Sequence, residues 1–460
     1  MVDFWVYDVT FLVLFTIFVT WFLIKSRDRL GREGIIFMYR TQVGVKAIKY
    51  VGDNYKKLLH SLKYPVIVVG YGLMVAMLWM LWQTLSIYIL HPEITQIIKA
   101  PPIAPLIPYF PKLFGMQSFF PPFYFTYFIV ALAIVAVVHE FSHGIFMRLF
   151  KIRIKSTGLV FLGPILGAFV EEEKRGFEKK KKIEQMTVLG AGVFANLVTG
   201  FLFYGIYVLF FTSFFTASGY IFNSYGVSVV PVENVTGFEF GENLTSVFVG
   251  EDTYFADRVL STQFNMSGLE HYALYHDSPA VRMQMKGAII QANDVKIRRH
   301  EDLQEFLKNK EPGDKVTFIT ENENGDENKY VFELGERLDN SSRAYLGVGH
   351  SEPSSEGVVR KILTAFMSFK DSSTYYKPSW DGNFAYFLLH LFWWVMIINF
   401  LVALFNMLPL GILDGGRFFY LTILGLTGSE KAAKKSYKAI GYAILLVFIL
   451  LMFYWAIRVF

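Results

Sequence analysis

Six stretches of this chain are apolar enough and long enough to cross a lipid bilayer: 9–24, 65–90, 122–149, 184–215, 383–408 and 439–457. A helix of about 20 apolar residues spans the hydrocarbon core. Composition agrees, because 53% of the 460 residues are hydrophobic, including 47 Phe and 26 Tyr. That exceeds what an ordinary soluble domain carries, and aromatic side chains suit lipid-facing and interfacial positions. The expected fold class is a polytopic α-helical membrane protein with about six transmembrane helices. The first run is followed by basic residues and shows no small-residue cleavage site, so it reads as a retained anchor rather than a signal peptide.

Basic residues orient these spans. The 25–63 and 148–182 connections each carry about ten Lys and Arg, and 409–438 carries Arg417, Lys431, Lys434, Lys435 and Lys438. The 91–121 connection carries Lys99 and Lys112 alone. Positive-inside counting therefore puts three basic connections in the cytoplasm and both termini outside. The expectation is a multi-pass protein of the cell membrane whose surroundings are lipid, with no nucleic-acid partner.

Four regions are expected. Residues 1–121 hold two spans and a Pro-rich external loop; 122–215 and 381–460 form two parts of one membrane core. Between them, 216–380 is polar and β-rich, with alternating strands such as KVTFIT and KYVFEL. Topology places it outside, and the sequons at Asn234, Asn243, Asn265 and Asn340 are compatible with that. Its order of strands, the Ser278-Pro279-Ala280 turn and a helix at 301–308 are PDZ-like, with an insertion over about 232–275.

The chemistry sits in the third span, which contains His139-Glu140-Phe-Ser-His143. An ionisable group at the centre of a membrane helix costs roughly 2.5–3.5 kcal/mol on insertion scales, so three within five residues need a reason. Residues i and i+4 share a helix face, so both imidazoles can hold one metal ion while Glu140 acts on water. A catalytic zinc takes three protein ligands and leaves one position open. Cysteine is absent, so the third ligand must be another His or a carboxylate. Asp414 in NMLPLGILDGGR is the best candidate, an acid embedded in apolar sequence. Its alternative reading is a helix cap after the Leu408-Pro409 break.

Two further segments stand out. The stretch 156–173, STGLVFLGPILGAFVEEE, is too short to cross and return as helix. It suits a strand hairpin entering from the cytoplasmic side, with a plain amphipathic loop as the alternative; such backbone at membrane depth must be buried in protein or line a wet cavity. In the fourth span, Gly192, Asn196 and Gly200 form a small and polar stripe suited to helix packing.

Together, HEFSH at 139–143 and Asn406-Met-Leu-Pro409-Leu-Gly-Ile-Leu413-Asp414-Gly415 resemble the paired motifs of the site-2 protease family of intramembrane zinc metalloproteases. The resemblance covers 122–215 and 383–457 well and 1–90 loosely. It implies one Zn2+ per chain on His139, His143 and Asp414, with Glu140 as general base. It implies that the 156–173 hairpin is a re-entrant segment whose edge pairs with substrate, and makes Gly163 and Asn406 candidate substrate-binding residues. Members often carry A-G-P-x-x-N where this chain has Ala191-Gly192-Val193-Phe-Ala-Asn196. That likeness gives Asn196 a catalytic role, bonding the substrate backbone or the developing oxyanion. The implied substrate is a single-span membrane protein, already trimmed by another protease. The competing expectations are an inactive membrane scaffold and a metal transporter. A transporter predicts more acids and histidines in other spans, where His390 is the sole further histidine well inside one.

Overall fold

The computed structural model describes residues 4–34, 36–90, 101–103, 106–116, 120–163, 165–258, 260–265, 268–322, 325–336, 343–350, 358–411 and 413–459. The Asn340 sequon and the 91–100 part of the Pro-rich loop lie outside these. The chain divides into unit 1, Met1–Leu209 with Tyr386–Phe460, and unit 2, Phe210–Ala385.

The principal helices are α1 (Phe4–Lys25), α2 (Val43–Asn54), α3 (Lys56–Leu90), α4 (Phe125–Leu149), α5 (Lys182–Phe214), α6 (Gly382–Asn406), α7 (Asp414–Thr427) and α8 (Glu430–Val459). All but α2 and α7 are long and apolar enough to cross a membrane. Two start well before their apolar runs. Lys56, Lys57 and Lys63 lead α3, and Lys431, Ala432, Ala433, Lys434 and Lys435 lead α8. Lys and Ala are good helix formers, so the helix continues where hydropathy stops.

Unit 1 also contains a four-stranded antiparallel sheet in the order β1 (Leu30–Glu33), β2 (Ile36–Thr41), β3 (Ile154–Leu162), β4 (Ile165–Glu172). Strands β3 and β4 turn at Gly163, whose φ of 58° suits glycine. The β1–β2 hairpin was not expected from the sequence. It joins through β2, which runs against β3 from Phe37 opposite Phe161 to Thr41 opposite Thr157. Among the described residues β4 ends the sheet, and no strand pairs with its outer edge.

Around this sheet a core of Ile48, Val66, Met74, Phe146, Val188, Met407 and Phe418 ties α2, α3, α4, α5 and α7 together. Both ends of α4 are pinned from outside. Tyr124, at its N-cap, makes no side-chain cap bond. Asp8 of α1 supplies one instead, accepting from Phe125 N at 2.7 Å, Thr126 N at 2.8 Å and Tyr109 Oη at 2.7 Å. The Phe125 and Thr126 amides are ones that a helix start leaves unpaired. At the other end, Arg148 donates to both oxygens of Asp53 of α2, with Nη2 to Oδ2 at 2.7 Å.

Unit 2 contains two main sheets. One runs β6 (Val227–Pro231), β10 (His271–His276), β9 (Asp252–Ala256), β8 (Thr245–Val249), β7 (Val235–Phe240). The other runs β13 (Glu327–Glu333), β12 (Lys315–Glu321), β11 (Ala288–Ala292), β5 (Phe215–Ile221), β14 (Thr374–Pro378), with Val295–Lys296 pairing on β11. Each has its own core, around Val230, Val247 and Leu274 and around Tyr220, Ile289 and Phe318. Strands β7 to β9 come from the 232–275 insertion and extend the sheet beyond β10.

Candidate metal centre

One helical turn apart on α4, the imidazoles of His139 and His143 stand edge to face with ring centroids 4.7 Å apart. Their Nε2 atoms lie 3.0 Å from each other. Asp414 Oδ2 lies 3.1 Å from His139 Nε2 and 3.3 Å from His143 Nε2. Ligand atoms about 2.0–2.2 Å from a tetrahedral zinc are about 3.3–3.5 Å apart. The observed triangle is close to that size. Two ring nitrogens and a carboxylate oxygen converging this tightly need a cation or shared protons among them, so the donor set fits a small divalent ion. Both histidines are buried, at 8% and 6% exposure, so water does not compete for these positions as it would on a surface.

Close backbone approach builds the rest of the cradle. A Cβ at Gly192 of α5 would lie 2.6 Å from His143 Nε2 and 2.7 Å from His139 Nε2. Any side chain there would press against both imidazoles, so α5 passes them only as glycine. Asp414 arrives by a similar device. After α6 ends at Asn406, the chain reverses around Pro409, and a Cβ on Gly415 would strike the Met407 and Leu408 carbonyls. The D-G-G sequence thus lets α7 start against the turn that precedes it. Asp414 is the first residue of α7, after the N-cap Leu413, which makes no side-chain cap bond; its carboxylate faces the histidines.

The neighbours of the ligands differ in kind. His143 Nδ1–H donates to the Val188 carbonyl at 2.7 Å. His139 Nδ1 faces the Asn196 side-chain amide, 3.1 Å from Nδ2. Glu140 Oε2 accepts from the Val170 amide on β4 at 3.0 Å, so that N–H points away from β3 along the strandless edge. Arg417, three residues after Asp414, lies over Phe177 at 4.2 Å from the ring centroid. It thereby ties α7 to the segment that follows β4.

The structure therefore brings together His139, His143, Asp414, Asn196 and Glu140, with β4 alongside. Asn406 sits half-buried at the end of α6, and Gly163 at the hairpin tip with open space where a side chain would project. Neither belongs to the ligand group. Gly192, Val188 and Arg417 were not picked out as site residues from the sequence. Gly192 had a visible signal in its place four residues before Asn196; a backbone carbonyl such as that of Val188 has none.

Comparison with known proteins gives two findings. Residues 127–452 match the family described as Peptidase family M50, a segment that includes every residue of the ligand group. An uncharacterized protein of Methanocaldococcus jannaschii is 26% identical over 420 residues, covering 89% of this chain and 84% of that protein.

Proposed function

The chain belongs to peptidase family M50, the site-2 protease family, and from that premise we propose that it hydrolyses a peptide bond in or beside a transmembrane helix of another membrane protein. The observation that carries this reading is the His139–His143–Asp414 triangle, with Glu140 next to it along α4. An inert structural site has no need of the glutamate.

His139, His143 and Asp414 would hold one Zn2+. Bound there, zinc supplies Lewis acidity, lowering the pKa of a water toward neutrality and polarising the scissile carbonyl. The chain's own residues do the rest. Glu140 takes the proton of the attacking water at a carboxylate oxygen and returns it to the leaving amine. A helical substrate hides its scissile bond in its own hydrogen bonds, so it must open into strand. The strandless edge of β4 offers main-chain partners for such a strand, and the Val170 N–H lies on the Glu140 side of that edge. Six long apolar helices support an integral membrane protein. The basic connections then face the cytoplasm and unit 2 lies outside. The PDZ-like order read in the sequence of 216–380 would suit a module that admits single-span substrates only after their ectodomains are trimmed.

The test uses the purified full chain in proteoliposomes with a single-span substrate. The wild type should bind one zinc and cleave. Glu140→Gln should keep the zinc and lose roughly 10²–10⁴ in rate. Unchanged cleavage by the variant would remove Glu140 from the mechanism. A zinc-loaded wild type that cleaves no single-span substrate would favour the scaffold reading.

A further inference from the structure

We propose that Asn196 is a positioning residue that sets the tautomer of His139, through a side-chain amide whose direction depends on the metal. The proposal rests on the metal reading above and adds to it a role at His139 for a residue that the family likeness placed at the oxyanion.

Asn196 is completely buried on α5. Its Nδ2 lies 3.1 Å from His139 Nδ1, and its Oδ1 is buried without a partner among the described residues. A neutral imidazole has one N–H and one lone pair. With the amide turned this way, its N–H donates to a lone pair on Nδ1, and the ring proton sits on Nε2. In that tautomer Nε2–H donates to Asp414 Oδ2, 3.1 Å away.

Ligation reverses the requirement. A metal on Nε2 uses the lone pair there, so the proton must be on Nδ1, and Nδ1–H needs an acceptor. Asn196 Nδ2 cannot accept. A half-turn of the carboxamide brings Oδ1 into its place, an exchange that leaves the side-chain shape almost unchanged. The half-turn trades one unpaired buried carbonyl for an unpaired NH2. Pairing at the far end therefore does not drive it; the proton on His139 Nδ1 does. His143 has no such freedom. Its Nδ1 faces the Val188 carbonyl, which only accepts, so its Nε2 keeps the lone pair whether metal is present or absent.

Two substitutions separate this role from packing. Asn196→Asp keeps an acceptor for Nδ1–H but buries a charge. Asn196→Leu keeps the approximate size and removes the acceptor. Zinc affinity of the purified full chain, measured by competition with a chromophoric chelator, is the readout. Losing the outer-shell partner of a metal-bound histidine typically weakens affinity about 10–100-fold. We expect a loss of that order for Asn196→Leu, and Asn196→Asp within a few-fold of wild type. A packing role predicts the opposite order. Leu binding zinc as tightly as wild type, or Asp losing as much as Leu, would overturn the proposal alone. A wild type that takes up no zinc would overturn the metal reading and this proposal with it.

Discussion

Glu321 in unit 2 and Asp414 in unit 1 are both largely withdrawn from water, and their partners differ in a way that separates function from architecture. Glu321 in unit 2, with a side chain 5% exposed, forms an ion pair with Lys377, and its other oxygen accepts from Tyr375 Oη at 3.2 Å. The counter-charge belongs to the chain. Asp414 in unit 1 faces two imidazole nitrogens, not a lysine or arginine. Its counter-charge must come from bound protons or from an ion that enters. A buried acid paired with lysine closes a structure. A buried acid aimed at two ring nitrogens leaves a place for something exchangeable.

The largest way to break this contrast is to fill that place. Gly192→Ala puts a methyl group against both Nε2 atoms, and helix propensity favours alanine over glycine. Zinc uptake should therefore be lost while α5 stays helical. The measurement is metal content by emission spectroscopy alongside circular dichroism. A variant that holds one zinc per chain would mean that the triangle does not mark the ion's position.

How much of this was legible depends on whether a requirement acts on side chains or on backbone. The spans were readable because hydrocarbon demands long apolar runs, although their polar leading turns were not. The grouping of His139, His143 and Asp414 was readable because a cysteine-free metal site must use His and carboxylate, which are rare inside spans. The β1–β2 hairpin was hidden, since it depends on long-range pairing of Ile36–Thr41 with β3. The trans cap by Asp8 was hidden, since its partners at Tyr109, Phe125 and Thr126 are a hundred residues away or more. Asn196 was visible as a polar residue on a small-residue stripe. Its contact with His139 needed the fold.

On the unit 2 side, Lys377→Met leaves Glu321 without its cation. Breaking a fully buried pair costs about 3–5 kcal/mol. Lys377 is 41% exposed, and water screens that half of the pair, so about 1–2 kcal/mol is expected. Hydrogen exchange of the full chain should show faster opening of β12 and β14, with zinc affinity unchanged. An equal loss of zinc affinity would show that the two carboxylates are not independent.

The smallest effect belongs to a third carboxylate, Asp53, which shares the charge pairing of Glu321 without its burial. The Arg148 guanidinium, by hydrogen bonding first and charge second, holds the Asp53 carboxyl below its ordinary value of 3.8. A depressed carboxyl stabilises the fold while ionised. The contribution is therefore complete above the ordinary carboxylate range and disappears as pH falls through the lowered value. Asp53→Asn should reduce the melting temperature slightly at pH 7, and the difference from wild type should vanish in acid once the pH has fallen below the lowered value. Both side chains are about two-fifths exposed, so salt should shrink the difference as well. If the variant instead matched Lys377→Met in size and ignored salt, exposure would not be what separates surface pairs from buried ones here. The contrast between Asp414 and Glu321 would then rest on partner chemistry alone.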